Sequence, residues 1–213
     1  MSSHRHSIFC ILPPHMLKEL ARNGTAAQKE TALRNLTLSE QMRENRESVG
    51  DVAAMEIATA VTGKQRIVYD AQNGSSLPGT QVRGEGDPAT GDLAVDEAFD
   101  GAGATYDLYF DMYGRDSING GGMRMDSTVH YRTGYDNAFW NGTQMVYGDG
   151  DEDLPEEDRL FNRFTIAIDI IGHELTHGVT QFEANLVYRN QPGALNESMS
   201  DVFGSLVKQH VLN

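Results

Sequence analysis

Five consecutive residues, His173-Glu174-Leu175-Thr176-His177, have the types and spacing to hold a metal ion. On a helix, positions four apart differ by about 40° of rotation, so both imidazoles project from one face and can grip a single ion. Glu174 lies about 100° round from His173, beside such an ion but not a ligand from the same turn, which leaves its carboxylate free to act as a base. A catalytic zinc takes three protein ligands and keeps a fourth position for water, so the pentapeptide needs one ligand more. Residues 193–204 offer it: Glu197 and Asp201 stand four apart at the start of a second amphipathic segment. A helix there, antiparallel to the first and joined to it through residues 182–192, brings Glu197 towards both histidines. Asp201 falls one turn further on, placed to accept the second ring N–H of one histidine, and Asn196 is placed to do so for the other. A pair of ordinary surface histidines is the bland alternative for the pentapeptide alone; the downstream Asn-Glu-x-x-x-Asp spacing makes the constellation specific.

The chain resembles the thermolysin family of zinc metallopeptidases. The matching residues are Asp169, His173 to His177, Ala184-Asn185-Leu186-Val187-Tyr188 and the stretch 193–204. Upstream, Asp136-Asn137-Ala138-Phe139-Trp140 and Met145-Val146-Tyr147-Gly148-Asp149-Gly150 match as well, so the resemblance runs from about Arg66 onward. It implies an α+β fold: the β-rich N-terminal lobe of a zincin metalloprotease with its zinc-binding helix pair, preceded by a small helical propeptide. It also implies zinc held by His173, His177 and Glu197, with Glu174 as general base for hydrolysis of a peptide or protein substrate. Asn137, Ala138 and Trp140 become substrate-binding residues, on a strand that pairs with extended peptide, and Tyr188 a hydrogen-bond donor to the oxyanion. Tyr188 as a core aromatic is the alternative.

The composition fits a packed protein. A chain of 213 residues with 39% hydrophobic content can bury an ordinary core. The net charge of −14 argues against nucleic acid as a partner, because a phosphate-binding surface needs clustered Lys and Arg and the sequence has no such cluster. No apolar run approaches the ~20 residues that span a bilayer, and residues 7–12 are too short for the apolar core of a secretory signal. The family resemblance suggests a secreted protein, while the unrecognised signal leaves the cytoplasm open. The lone cysteine, Cys10, excludes an internal disulfide.

Several elements must position the metal residues. A strand is expected over residues 65–69, and a glycine-rich connection over 79–91. Residues 92–113 read as a long helix in which Val95, Phe99, Ala102, Tyr106, Tyr109, Phe110 and Tyr113 are spaced for burial and Gly114 is the stop. The glycine-punctuated stretch 119–148 is β-rich, with strands at 128–131 and 144–147. His130 has no partner at ligand spacing and reads as structural. The acidic loop 149–159 lacks the glycine and glutamate of an EF-hand, carrying Leu154 and Leu160 there instead, and reads as a solvated loop. Asp169 matches a calcium ligand of the classical family members, but the position eleven after Glu197, a glutamate in those members, is Lys208; an ammonium cannot coordinate calcium, which argues against that ion.

Residues 1–47 differ from the rest. They carry seven Lys/Arg against five acids, a charge of +2, leaving ten against 26, or −16, for residues 48–213. Pro13-Pro14 enforces extended chain, after which 16–22, 25–36 and 39–47 read as short helices with Thr25 and Ser39 as N-caps. The segment resembles the short propeptide of the protealysin-like branch, whose Pro-Pro motif lies in the substrate cleft; an ordinary helical extension is the alternative. Cys10 could ligate zinc through its thiolate, or be a small buried apolar residue. The junction and a first strand, or a helix, are expected between 46 and 62, so the division is 1–47, inhibitory segment, and 48–213, catalytic domain. The family's C-terminal helical domain has no expected counterpart here. An inactive zinc-binding fragment or self-inhibited module is therefore the alternative to an active metalloendopeptidase.

Overall fold

Residues 14–49, 63–152, 155, 159–187 and 190–213 are described by the computed structural model; Cys10, Pro13, Tyr188 and the junction at 50–62 lie outside them. Helix α1, Pro14–Asn23, begins on a proline, whose missing N–H costs nothing in a first turn. Gly24 closes it by donating its N–H to the Leu20 carbonyl at 2.8 Å. Helix α2, Ala26–Val49, opens with a reciprocal cap: Gln28 N–H donates to Thr25 Oγ1 at 3.3 Å and Thr25 N–H to Gln28 Oε1 at 2.9 Å. The expected break at Ser39 does not occur. No glycine or proline stands between Ala26 and Val49, and Thr37 hydrogen-bonds back to the Leu33 carbonyl at 3.1 Å, so one helix replaces the two predicted.

The sheet has five strands in the order β2-β1-β3-β5-β4: β1 is Arg66–Asp70, β2 Thr80–Gly84, β3 Met125–Val129, β4 Ala138–Trp140 and β5 Met145–Tyr147. β1, β3 and β5 are parallel, and β2 and β4 close the two edges antiparallel. Strand β2 corrects the expectation of an irregular connection at 79–91. Its first three residues are exposed, so it lacks the apolar alternation that marks a half-buried strand. β3 ends earlier than predicted because His130 turns to φ 53°, outside extended geometry.

Helix α3, Leu93–Tyr113, agrees with the predicted span. Asp92 Oδ1 caps the N–H groups of Ala94 and Val95, and Gly114 takes a left-handed φ of 64° while donating to Phe110 O. Val95, Phe99, Ala102, Tyr106 and Tyr109 are buried; Phe110 and Tyr113 are not, at 48% and 56% exposure. Phe110 sits one residue, about 100°, round from Tyr109 and covers the rim by stacking on Tyr106.

A 3-10 turn at Phe164–Ile166 leads into α4, Ile168–Glu183, which packs antiparallel against α5, Asn190–Leu212. Two glycines let them touch. A Cβ on Gly204 would lie 2.4 Å from the Asp169 carbonyl, and one on Gly172 3.1 Å from Gly204 Cα. The α1–α2 hairpin adds Leu17 and Ala32 to the main apolar core, and Leu38 packs on the cluster of Tyr131, Tyr135, Phe139 and Val146. Between them Asn35, fully buried, donates to Asp136 Oδ2 at 2.9 Å.

Candidate metal centre

The glycine contact sets α4 and α5 close enough for their polar side chains to meet. His173 Nε2 and His177 Nε2 lie 3.1 Å apart, and Glu197 reaches them from α5 at 3.5 Å and 3.7 Å respectively. Among the described residues these three form a group able to hold a metal, with ligand atoms all within 4.8 Å of one another. All three are at most 8% exposed.

The other ring nitrogens are occupied. His173 Nδ1–H donates to Asp201 Oδ1 at 3.0 Å, and His177 Nδ1–H to Asn196 Oδ1 at 2.8 Å. Ser200 Oγ lies 3.0 Å from the same His177 nitrogen; it was missed in the sequence, although it stands four residues after Asn196 on the same helix face. With Nδ1 protonated in a neutral ring, each Nε2 carries a lone pair, and the two lone pairs face one another. A cation between them removes that conflict. Ligands about 2.0–2.1 Å from a tetrahedral ion stand roughly 3.3–3.4 Å from each other, close to the separations found here, so the residues fit zinc. The surroundings favour positive charge too: burial alone would lower the His173 pKa, but the carboxylates of Glu197, Glu174 and Asp201 outweigh it and raise the value.

Glu174 is 2% exposed, and its Oε2 accepts the backbone N–H of Trp140 at 3.0 Å. That donor is a main-chain group and leaves no mark in the sequence. The indole Nε1–H of Trp140 donates to Gln181 Oε1 at 3.0 Å, a second tie between β4 and α4. Asn137 and Ala138 are buried beside it, the Asn137 carboxamide oxygen accepting from Ala138 N–H at 2.9 Å. Along a strand, alternate main-chain groups point the same way, so the Ala138 carbonyl points off the sheet edge on the side where Trp140 meets Glu174. Tyr188, expected near the site, lies outside the described residues.

His130 belongs to a different cluster, as its reading as a structural residue requires. Its Nδ1 donates to Asp149 at 2.7 Å and its Nε2 to Asp92 at 3.1 Å. The start of the acidic loop 149–159 is not the solvated chain expected: Asp151 is 4% exposed and accepts Leu160 N–H, and Glu152 pairs with Arg163, while 153, 154 and 156–158 lie outside the described residues. A cavity of about 360 Å³ opens among these groups, away from the metal centre. Its charged side chains are committed to one another. At the far end of α4, Lys208 Nζ donates to Asp169 Oδ2 at 2.8 Å.

Residues 31–181 match the family model for the thermolysin metallopeptidase catalytic domain, and residues 184–213 the model for the alpha-helical domain of the same family. The chain belongs to the thermolysin metallopeptidase family. It is 44% identical over 207 residues to an extracellular metalloprotease of Pectobacterium carotovorum subsp. carotovorum, covering 96% of this chain and 56% of that one. A thermolysin of Alicyclobacillus acidocaldarius subsp. acidocaldarius is 48% identical over 149 residues, 68% of this chain and 26% of its own length. Among solved structures, the precursor of protealysin, a metalloproteinase from Serratia proteamaculans, is similar with a TM-score of 0.79 and 46% identity, over 95% of this chain and 56% of that one. The chain thus spans little more than half the length of the Pectobacterium and Serratia relatives, and about a quarter of the thermolysin. The two thermolysin-family models meet between residues 181 and 184, at the end of α4 and before α5. Glu197 therefore lies in the alpha-helical-domain match and the two histidines in the catalytic-domain match.

Proposed function

We propose that this chain carries the metal centre of a zinc-dependent metalloendopeptidase, with His173, His177 and Glu197 as the zinc ligands and Glu174 as the general base. The observation that carries this reading is the convergence of two imidazole Nε2 atoms and a Glu197 carboxylate beside a second buried carboxylate. Bound there, zinc supplies a Lewis acid that polarises the scissile carbonyl and acidifies water. Asp201 and Asn196, with Ser200, hold each ring in the tautomer that presents Nε2. Glu174, aimed by the Trp140 N–H, takes the proton of the attacking water and passes it to the leaving amine. The edge of β4 receives extended peptide: the Ala138 carbonyl accepts a substrate N–H, and Asn137 and Trp140 flank it. Tyr188 donates to the developing oxyanion.

Residues 1–47 act as a propeptide that occupies the cleft, a role supported by the docking of α1 and α2 on the body. The same docking favours the second reading, a self-inhibited module. Lys208 brings a positive charge to Asp169, which supports the reading that this pair does not coordinate calcium. A relative named an extracellular metalloprotease supports secretion as the destination.

The test is metal content together with turnover of an internally quenched peptide. The parent should hold about one equivalent of zinc and cleave the peptide; Glu174→Gln should keep the zinc and lose cleavage, since an amide accepts no proton at neutral pH. Cleavage surviving in Glu174→Gln shows another base, and zinc-loaded parent without cleavage shows the inactive or self-inhibited form.

A further inference from the structure

Tyr109 stands on α3, outside the metal centre, yet it touches both helices that build it. Its hydroxyl lies 2.9 Å from Thr176 Oγ1, and Thr176 Oγ1 is 2.7 Å from the Gly172 carbonyl. A carbonyl oxygen only accepts, and a threonine hydroxyl has one proton to give. That proton goes to Gly172, so the Tyr109 phenol is the donor to Thr176. The relay ends on the turn of α4 that carries both histidines, Thr176 lying between them and Gly172 immediately before His173. The ring of Tyr109 stacks on Phe203 of α5, with centroids 5.2 Å apart and planes 11° from parallel. Phe203 is two residues beyond Asp201, which orients His173. Tyr109 itself is 4% exposed.

We propose that Tyr109 is a positioning residue of the metal centre: its phenol fixes the rotation of α4 and its ring the approach of α5, so that His173, His177 and Glu197 converge. The inference rests on the metal-binding reading above. Sites of this kind tolerate displacements of only about 0.5 Å, and loss of a group that orients a ligand lowers metal affinity by about 10–100-fold. Tyr109 acts one step further out, so the effect of removing its hydroxyl alone is about 3–10-fold.

The experiment measures zinc affinity by competition with a chromogenic chelator, the visible spectrum of the cobalt-substituted protein, and urea unfolding of the metal-free protein. Tyr109→Phe keeps the stack and deletes the donor; Thr176→Val removes the acceptor with little change of shape; Tyr109→Leu removes hydroxyl and stack together. Tyr109→Phe should weaken zinc by about 3–10-fold and shift the cobalt bands. Tyr109→Leu should weaken it further, and the Tyr109→Phe/Thr176→Val double variant should bind no worse than Thr176→Val alone. If the variants lose stability while zinc affinity and the cobalt spectrum match the parent, Tyr109 is ordinary core and the inference is overturned. If the parent itself binds neither zinc nor cobalt, the metal-centre reading falls and takes this one with it.

Discussion

His130 donates from both ring nitrogens to carboxylates, Asp149 first and Asp92 second, and these hold its pKa up at about 9 against the burial that lowers it. The folded value lies above the ordinary 6.5, so the stabilisation is fully present below about pH 6.5 and is lost as pH rises through about 9. It amounts to on the order of 2 kcal/mol after discounting for partial exposure. Urea midpoints of the parent should therefore fall between pH 6.5 and 9, and His130→Gln should be less stable at pH 6 yet nearly flat across that window; parallel profiles would remove His130 as the titrating group. At the proposed metal centre, Asp201→Ala should weaken zinc by about 10–100-fold while leaving one equivalent bound at saturation, because the carboxylate hydrogen-bonds the His173 ring and is proposed to orient it rather than to hold the ion. These residues were legible because helical spacing is short-range: His173 and His177, and Glu197 and Asp201, are each four apart, and Asn196 adjoins Glu197. The grip of Trp140 on Glu174 was not, since the donor is a backbone N–H brought from 34 residues away.

Between elements, the contact of α4 with α5 depends on two hydrogen atoms in place of methyl groups. A methyl at Gly204 would press on the Asp169 carbonyl and on His173 N, at 2.4 Å and 2.9 Å, and neither backbone group can swing aside as a side chain would. Gly204→Ala should cost about 1–3 kcal/mol by overpacking, and should lower zinc affinity as well, because the displaced helix carries Glu197. Equal zinc affinity in the variant would mean that α5 adjusts without moving its ligand. A gentler case is the Lys208–Asp169 pair, half exposed and worth at most about 1 kcal/mol. Millimolar calcium should leave the parent's melting temperature unchanged; a rise would restore a calcium site here. Elements with strong ends were readable from sequence, as in α3, where Asp92 and Gly114 mark both caps. β2 was not, because an exposed edge strand has no apolar rhythm, and α2 was divided because Ser39 favours N-caps but does not compel one.

Across the whole molecule, the α1–α2 hairpin is joined to the body by Asn35 and Asp136, a buried polar contact spanning 101 residues, flanked by Leu38 on an aromatic cluster. Asp136 directly precedes Asn137 and the β4 edge, so the hairpin grips the strand that is proposed to receive substrate. Asn35→Asp would set two carboxylates face to face where neither reaches water, and the N-terminal segment should then be cleaved faster by added trypsin than in the parent, while Asn35→Gln should lie between. Unchanged cleavage rates would show that apolar packing alone holds the hairpin. The charge contrast of +2 against −16 was visible in the sequence, but the long-range pairing of Asn35 with Asp136 has no local signature. The separation of the proposed zinc ligands also has a consequence in time. His173 and His177 leave the ribosome first, and Glu197 follows 20 residues later on a helix of its own. A nascent chain that has just finished α4 holds two imidazoles and the Glu174 carboxylate but not the third proposed ligand. The centre is completed only when α5 folds back onto α4, so unfinished chains emerge without an assembled centre beside their neighbours.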